Sequence, residues 1–413
     1  MSTKKPLDLV VYGATGFTGK LACEYLAGKS PAFSDSFKWA IAGRDAKKLE
    51  NLKETLSSRY SHMEKLGIVV ADSSDAEALD KLTSQCKALV SFVGPYSKYG
   101  TKLIESCVNN CTHYADLTGE LFWVLQMMEK LDEKAKANRV KLIPTCGFDS
   151  VPSDWGTMSI AKTFKDKLGE DTKHVRGVLW AIKAGFSGGS IASGLEASSP
   201  ENIGKTISVI KDPQALNPKD RKNGLDSRDP NDVIWDPEVN HYLAPFIMAP
   251  INSRIVRRSN AFNGYGQNFA YDEFVKSTWL KGKAMSWGLV FANLSISNTW
   301  IRPITQRLVP KPGQGPNEDI QKNGFAKLKF FGSSAESGKK AVCDMTITGD
   351  PGYVVTARML VEAGIDMARE SEEMGVFGFR TPCSGLSEKY FEAMLQNGFQ
   401  VKTDLVDEKN IEE

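Results

Sequence analysis

The sequence predicts an α/β protein in which a Rossmann-type doubly wound parallel sheet is followed by a second, α+β domain with a β-rich sheet. Three observations support this prediction. The chain has 413 residues, which is more than one hydrophobic core usually serves. Strand and helix patterns alternate over the first 155 residues, as βαβ units require. Apolar and polar residues then alternate in 325–332 and 341–348, which indicates a β-hairpin.

The predicted first domain has six strands joined by right-handed helical crossovers, which gives the strand order 3-2-1-4-5-6. Asp45 can cap the helix after the second strand, where three leucines fall on one face. Ligands of such sheets bind beyond the carboxyl ends of the strands, so the loops there hold the candidate site. The predicted strands are Leu7–Val11, Trp39–Gly43, Leu66–Ala71, Ala88–Val93, His113–Leu117 and Val140–Pro144.

The first of these loops is a glycine-rich turn between a strand and a helix. Gly13, Gly16 and Gly19 have the spacing of a loop that binds the pyrophosphate of a dinucleotide. The first glycine permits the tight turn, the second lets the backbone approach the phosphates, and the third lets the helix pack on the strand. Together with Thr15 and Phe17, they predict a nucleotide site at the start of the helix. The alternative is an ordinary glycine-rich turn.

The loop after the second strand indicates which nicotinamide cofactor to expect. Arg44 stands where NAD-preferring sites usually carry an acid, and a guanidinium suits a 2′-phosphate. We therefore predict NADP. NAD remains the alternative, if Arg44 only stacks on adenine while Asp45 holds the ribose. Asp72, after the third strand, is predicted to lie on the adenine side or to form a simple turn.

Candidate catalytic groups follow the fourth and sixth strands. Gly94, Pro95 and Tyr96 are predicted to border the nicotinamide, and a phenol there can stack, hydrogen-bond or donate a proton. Tyr96 and Tyr99 are therefore candidate proton donors, unless both pack at the domain interface. Asp149 is a third candidate by its location, unless it caps the following helix. Other polar residues at this edge are Asp116, Glu120 and Ser150.

Composition narrows the classes of function. The formal net charge of +2 gives no general reason to expect a nucleic-acid partner. The four histidines lack metal-ligand spacing, so no metal is predicted. Seven cysteines without a Cys-x-x-Cys pair, and no recognisable secretory signal, lead us to expect a reducing, cytoplasmic location. No apolar run is long enough to predict a transmembrane span.

Residues 284–296 form the most apolar and aromatic stretch of the second half, and basic Arg302, Arg307 and Lys311 follow it. This stretch is predicted to be a buried helix or the contact of a homodimer. The alternative is a surface that touches lipid, which would place the protein peripherally on a membrane or a lipid droplet.

Taken together, these motifs resemble the saccharopine dehydrogenase-like oxidoreductase family, which is similar to the trans-acting enoyl reductases of lipid synthesis. The resemblance implies an NAD(P)-binding domain at 1–155, a substrate and dimerisation domain at 156–348, and a C-terminal helical return at 349–413 that packs near the first domain. It also implies hydride transfer to or from a C=C, C=N or C=O group of a small-molecule or lipid-linked substrate. It rests on Val11–Gly19, Ala40–Arg44, Val93–Tyr96, Asp116–Glu120 and Gly147–Asp154.

Two features keep other interpretations open. The Tyr-x-x-x-Lys pair of short-chain dehydrogenases occurs only at Tyr25 and Lys29, on the first helix and away from a hydride acceptor. A catalytically silent NADP(H)-binding or lipid-surface protein is therefore the alternative function. A polycarboxylate substrate such as saccharopine should meet converging arginines, and Arg254, Arg257 and Arg258 form the only tight cluster in the second half. They could equally bind phosphate or face solvent.

Overall fold

In the computed structural model, the described residues form two seven-stranded sheets, one in each half of the fold. Apolar clusters bury both faces of the first sheet, as a doubly wound parallel sheet requires. The structure describes residues 5–29, 37–185, 188–221, 224, 229–297, 315–369 and 375–406.

Strands and helices alternate through the first 168 residues. Asp45 caps the second helix by accepting a hydrogen bond from the Lys48 N–H at 3.0 Å, as predicted. The elements are β1 (Leu7–Tyr12), α1 (Phe17–Lys29), β2 (Trp39–Gly43), α2 (Ala46–Arg59), a 3₁₀-helix (Ser61–Lys65), β3 (Gly67–Val70), α3 (Ala76–Thr83), β4 (Cys86–Ser91), α4 (Tyr96–Tyr99), α5 (Thr101–Asn109), β5 (His113–Asp116), α6 (Leu121–Ala137), β6 (Lys141–Ile143) and α7 (Val151–Leu168).

The rest of the chain builds the second sheet and returns to the first. Its elements are β7 (Thr172–Lys183), α8 (Gly188–Ala197), α9 (Ile203–Lys211), β8 (Ile234–Asp236), β9 (His241–Pro245), α10 (Ala249–Asn263), β10 (Ala270–Ser277), α11 (Trp279–Ser297), α12 (Glu318–Asn323), β11 (Phe325–Ser334), β12 (Lys340–Thr348), a π-helix (Pro351–Val355), α13 (Thr356–Arg369), β13 (Gly378–Phe379), α14 (Pro382–Gly385), α15 (Glu388–Gln396) and β14 (Phe399–Val406).

The predicted strand order is confirmed. The first sheet is ordered β13-β6-β5-β4-β1-β2-β3, and every neighbouring pair is parallel. The second sheet is mixed, in the order β14-β12-β11-β7-β10-β9-β8, with only β7 and β10 parallel. The predicted hairpin is also present, because β11 and β12 pair antiparallel from Phe325 opposite Thr348 to Ser333 opposite Lys340.

The last part of the chain contributes to both sheets. Helix α13 packs against β1, β4 and β5, and β13 extends the first sheet beyond β6. Strand β14 pairs with β12 at the edge of the second sheet. These two strands were not part of the helical return predicted for 349–413. The division of the chain at 155 and 348 remains a proposal.

Helix α7 connects the two sheets and thereby positions the candidate site. It begins just after β6, at the carboxyl edge of the first sheet, and packs on β7, β11 and β12 of the second. Gly156 allows this contact, because a Cβ there would overlap with the ring of Phe330. Trp155 packs on Phe391 at 5.1 Å between ring centroids. The residues before α7 therefore lie where the two halves of the fold meet.

Candidate functional site

The glycine-rich loop between β1 and α1 requires two of its glycines for packing. Gly13 has φ of 82°, a conformation that side chains disfavour, and a Cβ there would lie 2.6 Å from Val93 Cγ2. A Cβ on Gly19 would overlap with the carbonyl oxygen of Gly13. The first glycine therefore permits the turn, and the third lets α1 approach the strand.

Gly16 is exposed, and the only described atom that its Cβ would meet within 4 Å is the Gly13 oxygen at 3.3 Å. Helix α1 starts at the next residue, and its first turn carries no acidic side chain. The first N–H groups of a helix lack partners within the helix and attract anions. The outer side of this loop is therefore open and suited to a pyrophosphate.

Phe17 joins the loop to the second half of the fold. Its ring packs edge-on against Tyr353 of the π-helix, with 5.6 Å between the ring centroids. A Cβ on Gly315 would overlap with the same ring. The side chain of Phe17 is thus used in packing, and its backbone remains at the start of α1.

Arg44 and Asp72 lie close together after β2 and β3. Arg44 is exposed and forms no salt bridge within the described part of the chain, so its guanidinium is available to a phosphate. Asp72 accepts hydrogen bonds from the hydroxyl and N–H of Ser74, at 2.6 and 2.8 Å. These bonds, and to a smaller degree the charge of Arg44, lower the pKa of Asp72. Asp72 forms the turn that was the alternative to an adenine contact.

Tyr96 is part of the core, which argues against the prediction that it is catalytic. Its hydroxyl donates to the Ser91 carbonyl oxygen at 3.1 Å and accepts from the Leu117 N–H at 3.3 Å. The residue is only 4% exposed and packs on Trp123. Burial raises the pKa of Tyr96 well above its ordinary value. We therefore assign Tyr96 a structural role, namely to support the loop that was predicted to border the nicotinamide.

The rest of that loop is more accessible. Gly94 and Tyr99 are exposed, and Tyr99 presents 41% of its surface. Pro95 follows Gly94 through a cis peptide bond and is half-buried. A Cβ on Gly94 would lie 3.2 Å from Ser193 Oγ, so α8 covers one side of the loop. The roles of Gly94, Pro95 and Tyr99 remain predictions.

Two of the acidic residues at the sheet edge are held by hydrogen bonds. Asp116 accepts from the Tyr114 hydroxyl at 2.8 Å and from the Thr118 and Thr145 N–H groups at 3.0 and 3.2 Å. Its burial raises its pKa to about 7. Glu120 accepts from the N–H groups that start α4, at 2.8 and 3.0 Å. Both carboxylates fix loops and leave Asp149 as the accessible acid.

Asp149 lies one residue before the N-cap of α7, between the two sheets. It keeps contact with solvent, yet the surrounding protein displaces enough water to raise the pKa of its carboxyl to about 6. The neighbouring Ser150 donates to Asn252 Oδ1 at 3.2 Å. An accessible carboxyl with a pKa near neutrality is suited to proton transfer.

The three arginines of α10 are buried and hold other parts of the chain. Arg254 donates to the carboxylate of Asp229 and to the Ile210 carbonyl oxygen. Arg258 donates to the carbonyl oxygens of Leu216 and Phe379. The third, Arg257, donates to the Tyr271 carbonyl oxygen at 2.9 Å. The expectation that this cluster binds phosphate or faces solvent is wrong, because buried guanidinium groups require internal partners.

Glu273 is a candidate functional residue that was not predicted from the sequence. This residue is buried on β10 and accepts a hydrogen bond from Ser153 Oγ at 2.7 Å. Its neighbour Asp272 lies on the opposite face and binds Arg176. The alternation of side chains along β10 could have indicated which acid points inward, but two adjacent acids first suggest a solvent-exposed segment.

An exposed apolar surface lies on β8 and α11. Helix α11 packs on the strand edge at Gly282, where a Cβ would lie 2.8 Å from Val233 Cγ2. Of the stretch 284–296, side chains are described only as far as 288. Met285 and Trp287 are exposed, which argues against a buried helix, and the contact of a homodimer stays a prediction. Arg302, Arg307 and Lys311 lie outside the described residues. We call Ile234, Trp235, Trp279, Leu280, Met285 and Trp287 the apolar patch.

None of the helices in the ranges that the structure describes is both long and apolar enough to cross a bilayer. Within the same ranges, no group of three or more histidine, cysteine or acidic side chains is arranged to hold a metal ion.

Comparison with known proteins agrees with this architecture. Residues 9–143 match the family model of the saccharopine dehydrogenase NADP binding domain. A protein of Mycobacterium tuberculosis that is provisionally named a trans-acting enoyl reductase is 32% identical, over 97% of this chain and 98% of its own. The trans-acting enoyl reductase of Mycobacterium leprae is 29% identical over the same shares.

A solved structure shows the same fold. Saccharopine dehydrogenase (L-Glu forming) from Saccharomyces cerevisiae superposes with a TM-score of 0.50 at 10% identity, over 97% of this chain and 99% of that one. The likeness extends over both sheets, and at this identity it concerns the fold alone. The relatives and the matched domain model identify this chain as a member of the saccharopine dehydrogenase-like family that includes the trans-acting enoyl reductases.

Proposed function

We propose that the protein is an NADP(H)-dependent oxidoreductase that transfers hydride to or from a C=C, C=N or C=O group. The observation that carries the proposal is the open phosphate loop at Gly16, together with the exposed Arg44 guanidinium at the end of the neighbouring strand β2. An enoyl group on a lipid-linked acyl chain is the first substrate class, because the relatives are named enoyl reductases. An imine derived from an amino acid is the second.

The residues divide into binding and chemical roles. Gly13, Thr15, Gly16, Phe17 and Gly19 would surround the pyrophosphate through their backbone, with the dipole of α1 favouring the negative charge. In this proposal the cofactor supplies the hydride, and the chain orients the reactants and excludes water. Arg44 would hold the 2′-phosphate, Asp72 would lie on the adenine side, and Gly94 and Pro95 would border the nicotinamide on the loop that the buried Tyr96 supports.

Asp149 is the proton donor in this proposal. Reduction of a C=C or C=N bond requires a hydride at one atom and a proton at the other. Asp149 is accessible, lies between the two sheets and has a carboxyl pKa raised to about 6, so it can hold a proton near neutral pH. Tyr99 remains the second candidate, since its phenol is exposed.

The experiment that tests the proposal separates binding from turnover. NADPH and NADH are titrated into the folded protein by calorimetry, and the absorbance of reduced nicotinamide is then followed with enoyl thioesters, imines and carbonyl compounds. Binding of NADPH with oxidation by one of these classes supports the proposal. Binding without oxidation by any of them supports the alternative, a catalytically silent NADP(H)-binding protein.

A lipid surface is a second candidate role, favoured by the apolar patch. Trp279 is 50% exposed and Trp287 62%, and large exposed apolar patches on proteins often mark sites of interaction with a membrane or another protein. Flotation with vesicles should recover the protein, and the double variant Trp279→Ser/Trp287→Ser should float less. Equal flotation of both proteins would contradict this role.

Light scattering on the same samples tests the expected homodimer, and fractionation of cells tests the expected cytoplasmic location.

A further inference from the structure

A buried carboxylate of the second sheet lies close to the candidate proton donor of the first. Glu273 is 1% exposed on β10, and its Oε1 accepts the Ser153 hydroxyl proton at 2.7 Å. Within the described chain its other oxygen, Oε2, is buried without a hydrogen-bond partner. An unpartnered buried oxygen disfavours the charged form of the carboxyl.

The side chains that surround this carboxylate are close in sequence to Asp149 or hydrogen-bond to its neighbour. Ser153 lies in the first turn of α7, directly after the turn that carries Asp149. The side chain of Asn252 lies beside the Glu273 carboxylate and opposes the rise in its pKa. Asn252 Oδ1 in turn accepts from Ser150, the residue that follows Asp149. The turn is thus held at two points by groups that also contact Glu273.

We propose that Glu273 is a positioning residue for Asp149: it holds the turn that carries Asp149, and its charge state depends on whether Asp149 is ionised. The inference deepens the proposed function and, for its kinetic part, rests on it. Its structural part does not depend on any substrate, because both carboxyls belong to the chain.

The electrostatics around Glu273 agree with this arrangement. Burial raises the pKa of Glu273 to about 7, and the charges of Asp149 and Asp229 raise it further, against the hydrogen bond of Ser153 and the nearby Asn252 side chain. Asp229 is itself paired with Arg254 and lies near Arg257, so its charge is partly balanced. The charged or titratable groups that interact with Glu273 are Asp149 before α7, Asp229 before β8 and Tyr271 on the same strand, while Arg254 and Arg257 of α10 pair with Asp229.

Asp149 and Glu273 therefore titrate in sequence. Asp149, with a pKa of about 6, loses its proton first, and its negative charge then holds the proton of Glu273. Once Glu273 ionises, its charge in turn disfavours further loss of protons nearby. The pair thus keeps a proton at this point of the fold to a higher pH than one carboxyl alone would.

The test uses the melting temperature of the full-length protein between pH 4 and 8. Four proteins are compared: the wild type, Glu273→Gln, Asp149→Asn and the double variant. Because the folded pKa of Glu273 lies above its ordinary value, its carboxyl stabilises the fold at acid pH, and this stabilisation is lost as the pH rises through about 7. The difference in melting temperature between wild type and Glu273→Gln should therefore change with pH over this range. In proteins that carry Asp149→Asn, the stabilisation by Glu273 should be fully lost at a lower pH.

Asp272→Asn is the matched control, because it removes an acid from the opposite face of the same strand. It should leave the coupling between positions 149 and 273 unchanged. The inference would be overturned if Glu273→Gln changed the melting temperature with the same pH dependence in the wild type and in Asp149→Asn. If Glu273→Gln failed to fold, Ser153→Ala would replace it. This variant removes the hydrogen bond that lowers the pKa of Glu273, so the pH at which the melting temperature falls should move to a higher value.

A kinetic arm keeps this result distinct from the proposed function. With crotonyl thioester and NADPH, Glu273→Gln should leave the affinity for NADPH unchanged and move the last part of the loss of kcat, above about pH 6, to lower pH. At these pH values the Asp149 carboxyls that are still protonated no longer face an ionised Glu273. An unchanged pH profile of kcat in an active variant contradicts the positioning role. Absence of turnover in the wild type contradicts only the proposed activity, and the melting curves still decide the coupling.

Discussion

Gly13 and Val93 bring the loops after β1 and β4 into direct contact, since a Cβ on Gly13 would lie 2.6 Å from Val93 Cγ2. From β1 the chain adds β2 and β3 on one side, and then β4 and the later strands on the other side, so the strand order reverses between β1 and β4. Ligands of such sheets bind at this point. The loop predicted to bind pyrophosphate and the loop predicted to border nicotinamide are therefore adjacent, as one extended cofactor requires.

The three glycines of the first loop should respond differently to alanine. Gly19→Ala inserts a methyl group against the Gly13 carbonyl oxygen, so we expect the free energy of unfolding to fall by about 1–3 kcal/mol. Gly16→Ala meets only one described atom and should keep most of the stability while it weakens NADPH binding. Denaturant unfolding and calorimetry measure the two effects. Equal losses of stability in both variants would contradict this division of roles.

Arg44→Ala should reduce affinity for NADPH more than for NADH. A charge-assisted contact to a phosphate is worth about 1.5–3 kcal/mol, so the Kd for NADPH should rise by about 10–100-fold. The Kd for NADH should change little, because NADH lacks the 2′-phosphate. Lys47→Ala, on the exposed start of α2, is the control for loss of one positive charge. Parallel weakening of both coenzymes would refute the assignment of Arg44.

Asp149→Asn should abolish most turnover while NADPH binding persists. General acid catalysis contributes about 10²–10⁴-fold, so kcat should fall by a factor in this range. The pKa of Asp149 is raised to about 6, so its carboxyl in the wild type is fully protonated below about pH 4. It loses this proton as the pH rises through 6. Wild-type kcat should fall in the same window. Tyr99→Phe is the companion variant, and a larger loss there would transfer the role to Tyr99.

Tyr96→Phe should affect stability rather than chemistry. The variant leaves the Ser91 carbonyl and the Leu117 N–H without their partner in a buried place, which costs about 1–3 kcal/mol for an unpaired group. The melting temperature should fall, whereas kcat per folded molecule should stay near the wild-type value. A variant as stable as the wild type but without activity would restore Tyr96 as a catalytic residue.

Much of the first sheet could be predicted from sequence because its signals are local. The spacing of Gly13, Gly16 and Gly19 reports backbone conformation and close packing, and the buried strands read as short apolar runs. Crossover handedness then determines the order of six strands. The two-residue β13 has no such signal, because its place beside β6 depends on contacts made more than 200 residues apart in the chain.

The roles of polar residues were harder to predict, since burial is a property of the whole fold. Tyr96 and the α10 arginines are polar residues that sequence places near a ligand, yet the structure buries them against backbone carbonyls. Glu273 is the reverse case, a buried acid that looks like a surface residue in the sequence. The alternation of residues along β10 shows that Glu273 and Asp272 lie on opposite faces of the strand. Only the packing of α7 and α10 shows that the face with Glu273 is internal.

Calorimetric titration of NADPH into the folded wild-type protein tests the central claim most directly, namely that the loop between β1 and α1 binds a phosphorylated nicotinamide coenzyme. We predict one saturable binding event per chain, with a lower Kd for NADPH than for NADH. Binding of neither coenzyme to protein that is shown by its melting curve to be folded would contradict the account.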